Sequence, residues 1–313
     1  MAEEISILLS ADENYARQCA VTVLSVLSNT AVPEKIHIYL LSPDLTDESK
    51  ERIETVCTRF GARLSVVLVS LSQFKTLPLL HEHFSLSNYS RLLGPDLCTN
   101  CDRFLYLDCD LIVLGDVAAL FYADLFGMPL GAVPHVSLPY QSVFTSTFPV
   151  SDKDRYFNSG AMVIDAVYWR EHKVTDEIIK LATAHADKLE FADQDPLNVF
   201  FWENYAHLPG DWNVEARLYR ERLLGISQDE ETQRRMKSPK LIHYTGSNKP
   251  WKSKRYVAKR SCYFEYSDRL AALFEWPPKL TIASVRLKEW ISLIYTCLYF
   301  RISSLKNEIC FAG

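Results

Sequence analysis

The chain has 313 residues, 48% of them hydrophobic and 12% aromatic, and carries a formal net charge of -5. That is ample apolar material for one large domain or two small ones, and it excludes a global basic field that would draw nucleic acid. No apolar run approaches the ~20 residues needed to span a bilayer.

The start, Met1-Ala2-Glu3-Glu4, is acidic and runs straight into apolar sequence, unlike a secretory leader. The expectation is therefore a cytosolic protein whose eight cysteines are reduced. Cys98-Thr99-Asn100-Cys101 has no second pair to complete a zinc site and reads as an incidental loop pair.

Residues 5–9, all apolar but Ser6, read as a buried first strand. Ser10-Ala11-Asp12-Glu13-Asn14-Tyr15 follows, then a helical pattern through Val21, Leu24 and Leu27. Asp12 or Asn14 can cap that helix. A strand–loop–helix junction opening an α/β sheet is also where nucleotides bind. No glycine-rich loop is present, so side chains must do the holding: Asp12 accepting from a base N–H, Asn14 bonding ribose, Tyr15 stacking. Residues 35–41 and 63–69 read as further strands. Between them a polar-faced helix over 46–60 is stopped by Gly61. This rhythm predicts a parallel, doubly wound beginning. Residues 84–93 read as a short helix ending before Gly94-Pro95. Leu86, Tyr89, Leu92 and Leu93 share one face, and Arg91 falls away from it, where a lone Arg is ordinarily solvated.

Phe104-Leu105-Tyr106-Leu107 is short and aromatic or branched, the mark of a buried strand, and Asp108-Cys109-Asp110 follows at its end. Alternation aims both carboxylates one way and Cys109 the other. Two anions facing one way demand a positive partner, and a hard divalent cation with oxygen ligands fits best. The motif alone leaves three readings open: a solvated turn, a phosphatase with Asp108 as nucleophile, or a sugar-nucleotide-dependent transferase whose metal holds a diphosphate.

Downstream, a short helix over 117–121 and a strand over 130–133 precede a long loop from about His135 to Arg155, a candidate substrate lid. Residues 156–164 turn from loop to strand, with Gly160 allowing close backbone approach. A helix over 174–186 follows. In Asp193-Gln194-Asp195-Pro196, Asp195 suits the cap of the next helix, leaving Asp193 and Gln194 without a structural task. Lys240-Leu241-Ile242-His243-Tyr244 is strand sequence with His243 near its end, and it runs into Thr245-Gly246-Ser247-Asn248-Lys249-Pro250-Trp251. There Gly246 can bring backbone N–H groups to an anion, and Lys249 reads as a free loop cation.

Taken in order, Ser10–Tyr15, Tyr89-Ser90-Arg91-Leu92, Leu105–Asp110, Phe157-Asn158-Ser159-Gly160, Asp193-Gln194-Asp195 and His243-Tyr244-Thr245-Gly246 with Lys249-Pro250-Trp251 resemble glycosyltransferase family 8. That family includes bacterial lipopolysaccharide galactosyl- and glucosyltransferases and glycogenin. The resemblance implies a GT-A α/β fold, a mostly parallel Rossmann-like sheet flanked by helices. It also implies retaining transfer of galactose or glucose from a UDP-sugar with Mn²⁺ or Mg²⁺, to a glycan or glycolipid acceptor such as lipopolysaccharide core. Residue by residue it implies Asp108, Asp110 and His243 as metal ligands. It implies Ala11, Asp12, Asn14 and Tyr15 around the nucleoside, and Asp108, Gly246 and Lys249 at the diphosphate. Arg91, Asn158, Asp193 and Gln194 would surround the transferred sugar. Asp193 or Asp195 as a covalent nucleophile stays open beside attack on the leaving group's own face. A non-catalytic sugar-nucleotide-binding protein is the remaining alternative to transferase and phosphatase.

The departure lies on the acceptor side. Where the family's galactosyltransferases carry an acidic residue after the strand matching residues 130–133, this chain has His135. The expected domains are a catalytic unit over 1–278 and a helical tail over 279–313. The tail carries Lys279, Arg286, Lys288, Arg301 and Lys306 against Glu289 and Glu308. Leu287, Trp290, Ile291, Ile294 and Leu298 form one apolar stripe between basic flanks, which suits the inner face of a cell membrane or packing on the core.

Overall fold

A computed structural model of the chain describes residues 4–75, 77, 86–135, 144, 148, 156–191, 193–253, 256–277 and 294. Nearly all of the 136–155 loop and of the 279–313 tail, for which a lid and a surface anchor are expected, lies outside the described residues.

The strands are β1 (Ile5–Ser10), β2 (Ile36–Ser42), β3 (Arg63–Leu68), β4 (Arg103–Leu107), β5 (Leu111–Val113), β6 (Leu130–Pro134), β7 (Phe157–Asp165), β8 (Ala206–His207), β9 (Val214–Glu215) and β10 (Leu241–His243). The α-helices are α1 (Ala16–Asn29), α2 (Asp47–Arg59), α3 (Gly94–Leu97), α4 (Val117–Phe121), α5 (Ala166–Glu171), α6 (Val174–Ala184), α7 (Gln194–Phe200), α8 (Ala216–Leu223), α9 (Glu230–Lys237) and α10 (Arg260–Phe274). A seven-stranded sheet runs β3-β2-β1-β4-β7-β6-β8, and a three-stranded one runs β5-β10-β9. β3, β2, β1 and β4 are parallel, while β7 is antiparallel to both of its neighbours. The expected α/β fold with a mostly parallel sheet is therefore what forms.

Alternation along the strands sorts the core into two layers. Ile7 and Leu9 of β1 and Leu105 and Leu107 of β4 face the side covered by α1, α2 and α10. Leu8, Phe104 and Tyr106 face the side covered by α3 and α5 to α7. Burying each such side chain contributes about 1.5–3 kcal/mol, so a one-residue slip in β4 would exchange the two cores and reverse the aim of the aspartates behind it.

Local signals held at α2. Thr46 accepts from the Ser49 N–H at 3.2 Å, Asp47 and Glu48 fill the first turn, and Gly61 has φ +72° just past the end. Two local readings need correction. Residues 86–93 form a 3₁₀ helix, and Gly94-Pro95 starts α3 instead of ending a helix, because Pro suits a first turn. Gly94 is also where β1 crosses closely: a Cβ there would stand 2.2 Å from Leu8 Cδ2.

The strand order places β1 and β4 side by side after β2 and β3 have filled one flank. In such sheets the crevice lies beyond the carboxyl ends of the two strands where the order reverses. Residues 10–15 and 108–110 leave from those two ends.

Candidate active site

Beyond β1, Ala11 is buried with its N–H bonded to Leu41 O at 3.0 Å. Asp12 caps a 3₁₀ turn by accepting from Tyr15 N–H at 3.1 Å, and Asn14 is exposed. Glu13 pins this loop to the start of α2, accepting from Thr46 N–H at 2.9 Å and Ser49 Oγ at 2.8 Å. Burial raises the Tyr15 hydroxyl, helped by Asp110 and Asp12. Its edge meets Trp251 at 5.8 Å.

Beyond β4, Asp108 and Asp110 converge while Cys109 turns back to Ser10 O at 3.3 Å, as alternation requires. β10 pairs antiparallel with β5, setting His243 against Leu111 and beside the aspartates. The carboxylates divide their labour. Asp108 Oδ1 takes Arg91 Nη1 at 3.0 Å and Tyr106 OH at 2.7 Å, while its Oδ2 faces His243 Nε2 at 3.5 Å. Asp110 Oδ2 takes Lys249 Nζ, and its Oδ1 accepts from His243 Nε2 at 3.0 Å. The outer oxygens are held by cations and the inner ones share an imidazole. One ligand atom from each of Asp108, Asp110 and His243 lies within 4.8 Å of the others. Two carboxylate oxygens and one imidazole nitrogen converging in this way fit a divalent ion. Gly160 of β7 makes the convergence possible: a Cβ there would stand 2.1 Å from His243 Cε1 and 2.8 Å from Asp108 Oδ2.

Electrostatics follow the same division. Burial alone would raise Asp108, but Arg91 and the His243 hydrogen bond hold it below the usual carboxylate range. Asp110 likewise is lowered despite burial, chiefly by Lys249 and His243. Burial would lower His243, yet the two carboxylates lift it to about 9.

Three readings of single residues are overturned here. Arg91 is not solvated. Its side chain is 11% exposed, bonds Asp108, reaches Asp193 Oδ2 through Nε at 3.2 Å and lies 4.8 Å over the Tyr106 ring. A buried guanidinium is stable here because two carboxylates and an aromatic face surround it. Lys249 is not a free loop cation but is buried, donating to Asp110 and, at 2.7 Å, to Tyr244 O. Asp195 is not the cap of its helix. α7 begins at Gln194 with Asp193 in the cap position, and Asp195 sits in the first turn, fully buried. It accepts from Tyr156 OH at 2.6 Å and from the N–H groups of Glu190 and Phe191 at 2.8 and 2.9 Å. Both of its oxygens are committed and the side chain is not exposed.

Asp193 and Gln194 do have structural partners. Asp193 is 5% exposed, and burial raises its carboxyl despite Arg91. Gln194 Oε1 accepts from Ser159 N–H at 3.0 Å and Asn158 Nδ2 at 3.1 Å, and its Nε2 donates to Tyr156 OH at 2.9 Å. Gly246 has φ +73° with open space where a side chain would stand, so the loop before Lys249 turns there without a Cβ.

Sequence reasoning missed Asn213, which joins His243 Nδ1 at 3.0 Å to Asn158 Oδ1 at 2.9 Å. It also missed Glu215, buried on β9 among His135 at 3.3 Å, Arg217 at 2.9 Å and Thr245 at 3.0 Å. Neither lies in a motif of its own. The available signal was an acidic residue in a strand too short to keep it in water.

The "Glycosyl transferase family 8" model matches residues 6–255. General stress protein A of Bacillus subtilis is 29% identical over 273 residues, covering 84% of this chain and 93% of that protein. The lipopolysaccharide 1,2-glucosyltransferase of Escherichia coli is 27% identical over 255 residues, covering 80% and 73%. The crystal structure of galactosyltransferase LgtC, in complex with donor and acceptor sugar analogs, aligns with TM-score 0.76 at 24% identity, over 88% of this chain and 98% of that one.

Proposed function

The chain belongs to glycosyl transferase family 8, and from that premise we propose that it moves a hexose from a UDP-sugar to a glycan or glycolipid acceptor, with retention. The donor sugar is galactose or glucose, and the acceptor is of the lipopolysaccharide-core kind; the similar Escherichia coli protein is named a lipopolysaccharide glucosyltransferase, which supports that reading. The observation that carries the reading is the convergence of Asp108, Asp110 and His243 beyond β4, with Arg91 tying them to Asp193 beside Gln194. Family membership removes the phosphatase alternative.

Asp108, Asp110 and His243 would hold a divalent ion, Mn²⁺ or Mg²⁺. When bound, such an ion supplies a Lewis acid that offsets the charge growing on a departing diphosphate. Lys249, now paired with Asp110, would offer its charge to the diphosphate, and the Gly246 turn would offer backbone N–H groups to the same anion. Ala11, Asp12, Asn14 and Tyr15 form the nucleoside side of the crevice. Arg91 keeps Asp108 and Asp193 at a fixed separation, and Asn158 and Gln194 present neutral amides to the sugar. A glutamine is a poor nucleophile, and Asp193 is engaged by Arg91 and Ser159. Attack by the acceptor on the leaving group's own face follows, and it retains configuration.

Residues 1–278 form the catalytic unit, and 279–313 attach it to an anionic membrane surface, where amphiphilic acceptors reside. Among the described residues no helix is long and apolar enough to cross a membrane. Hydrolysis of a panel of UDP-sugars with and without Mn²⁺ tests the reading without knowledge of the acceptor. Activity confined to UDP-galactose or UDP-glucose and abolished by chelation supports it; hydrolysis that survives chelation, or none with any donor, sinks it. NMR of the product's anomeric signal tests retention, since a β linkage from an α donor refutes it.

A further inference from the structure

We propose that Asn213 is a positioning residue that keeps a hydrogen on Nδ1 of His243 and so leaves Nε2 as the nitrogen that faces an ion. The proposal rests on the reading of Asp108, Asp110 and His243 as ligands. The two ends of a side-chain amide look alike, but here the backbone dictates their orientation. An N–H can only donate. Gly160 N–H points at Asn158 from 3.0 Å, so the atom it meets is Asn158 oxygen. Ser159 N–H points at Gln194 from 3.0 Å, so that atom is Gln194 oxygen. Asn158 nitrogen is thereby turned to Gln194 Oε1, at 3.1 Å.

Asn158 oxygen also faces Asn213 at 2.9 Å. Two oxygens cannot bond each other, so Asn213 presents its nitrogen there and its oxygen to His243 Nδ1, at 3.0 Å. An oxygen at that distance requires hydrogen on Nδ1. Nε2 also points its hydrogen at carboxylate oxygens, 3.0 Å from Asp110 Oδ1 and 3.5 Å from Asp108 Oδ2, and it is the nitrogen on which an ion would replace that hydrogen. The other end is anchored just as firmly. Gln194 Nε2 donates to Tyr156 OH at 2.9 Å, and that hydroxyl donates to Asp195 Oδ1 at 2.6 Å. Every donor from His243 to Asp195 therefore points the same way.

The fold places Asn213 for this task. It ends the 3₁₀ turn Gly210–Trp212, is 3% exposed and immediately precedes β9, whose parallel pairing sets Glu215 beside His243. A second partner that fixes the ring of a ligating histidine is worth 10–100-fold in ion affinity.

The test is a Mn²⁺ titration of the full chain, followed by EPR without nucleotide sugar, for wild type, Asn213→Ala and Asn213→Asp. Asn213→Ala should bind about 10–100-fold more weakly. Asn213→Asp keeps an oxygen at Nδ1 and should stay within a few-fold of wild type, although it cannot donate to Asn158. Equal binding by folded Asn213→Ala, or Asn213→Asp as weak as Asn213→Ala, overturns the proposal. A second readout needs no ion: the long-range ¹H–¹⁵N spectrum of wild type should show a hydrogen on Nδ1 of His243, beside the one that Nε2 points at Asp110. An Nδ1 without hydrogen overturns the proposal even if Asn213→Ala fails to fold. If wild type binds no Mn²⁺, the ligand reading fails on its own, and the spectrum still decides the position of the hydrogen.

Discussion

The crevice has two walls built on opposite physical principles. The wall beyond β4 and β10 is dense in charge: Asp108 and Asp110 are held by Arg91, Lys249 and His243. The wall formed by β7 and the start of α7 is nearly neutral: Asn158 and Gln194 are oriented by the backbone N–H groups of Gly160 and Ser159. Ion pairs lack strong directionality, so their members can change partners when a cation or an anion arrives. Amides bonded to backbone donors cannot turn without losing a buried hydrogen bond, at about 1–3 kcal/mol each. One wall is suited to exchange and the other to fixed geometry, and Arg91 and Asn213 are the points where they join.

The largest effect should come from removing the charged joint. Arg91→Met leaves Asp108 and Asp193 buried without their shared counter-charge, which should cost about 3–5 kcal/mol of stability in urea unfolding. A loss under about 1 kcal/mol would mean the walls are not coupled through Arg91. Next comes the exchangeable wall itself. Asp110→Asn should lower ion-dependent turnover about 10²–10³-fold while keeping a hydrogen bond to Lys249. Turnover within tenfold of wild type would show that the charge density serves folding and not chemistry.

Behind that wall, Glu215 links electrostatics to pH. Burial would raise it, but His135 and Arg217 hold it at about 2, below its ordinary 4.5. A lowered carboxylate contributes stability that is present above about pH 4.5 and lost as pH falls toward 2. Glu215→Gln should therefore lose about 3 kcal/mol at neutral pH and show a flatter acid limb over that window. Acid unfolding parallel to wild type would refute the assignment. Where the walls touch, Gly160→Ala should cost about 1–3 kcal/mol, because the added Cβ meets His243 Cε1 at 2.1 Å. It should also weaken Mn²⁺ binding, and unchanged affinity by calorimetry would show that His243 has room to move. The smallest effect is expected from ending the chain at residue 278. Both walls stay intact, so UDP-sugar hydrolysis should be unchanged while sedimentation with anionic vesicles is lost. Aggregation of the shortened chain would instead make the tail part of the core.

Much of this was legible in order along the chain. The buried strands β1 and β4, the stop of α2 at Gly61, and the carboxylates placed one residue apart depend on neighbours in sequence, and those readings stand. Asp108, Asp110, His243 and Gln194 could be named from motifs whose spacing is local.

What sequence could not supply was partnership across the fold. Arg91 reads as solvated because its own helix gives it no partner; two acids 17 and 102 positions away provide one. Lys249 reads as free because the loop around it is polar, yet Asp110 draws it inside. Asp195 reads as a cap because the residue after it is Pro, but the start of the helix was set by bonds to Tyr156 and to the turn before it. Asn213 gave no sign at all, since its role exists only when β9 is laid beside β10. The sequence determined where the main strands and helices run and which side chains are candidates for chemistry, because periodicity and motif spacing are short-range. The tertiary structure decided which charges are neutralised and which amides are fixed, because a buried polar group takes its meaning from whatever the fold brings within about 3 Å.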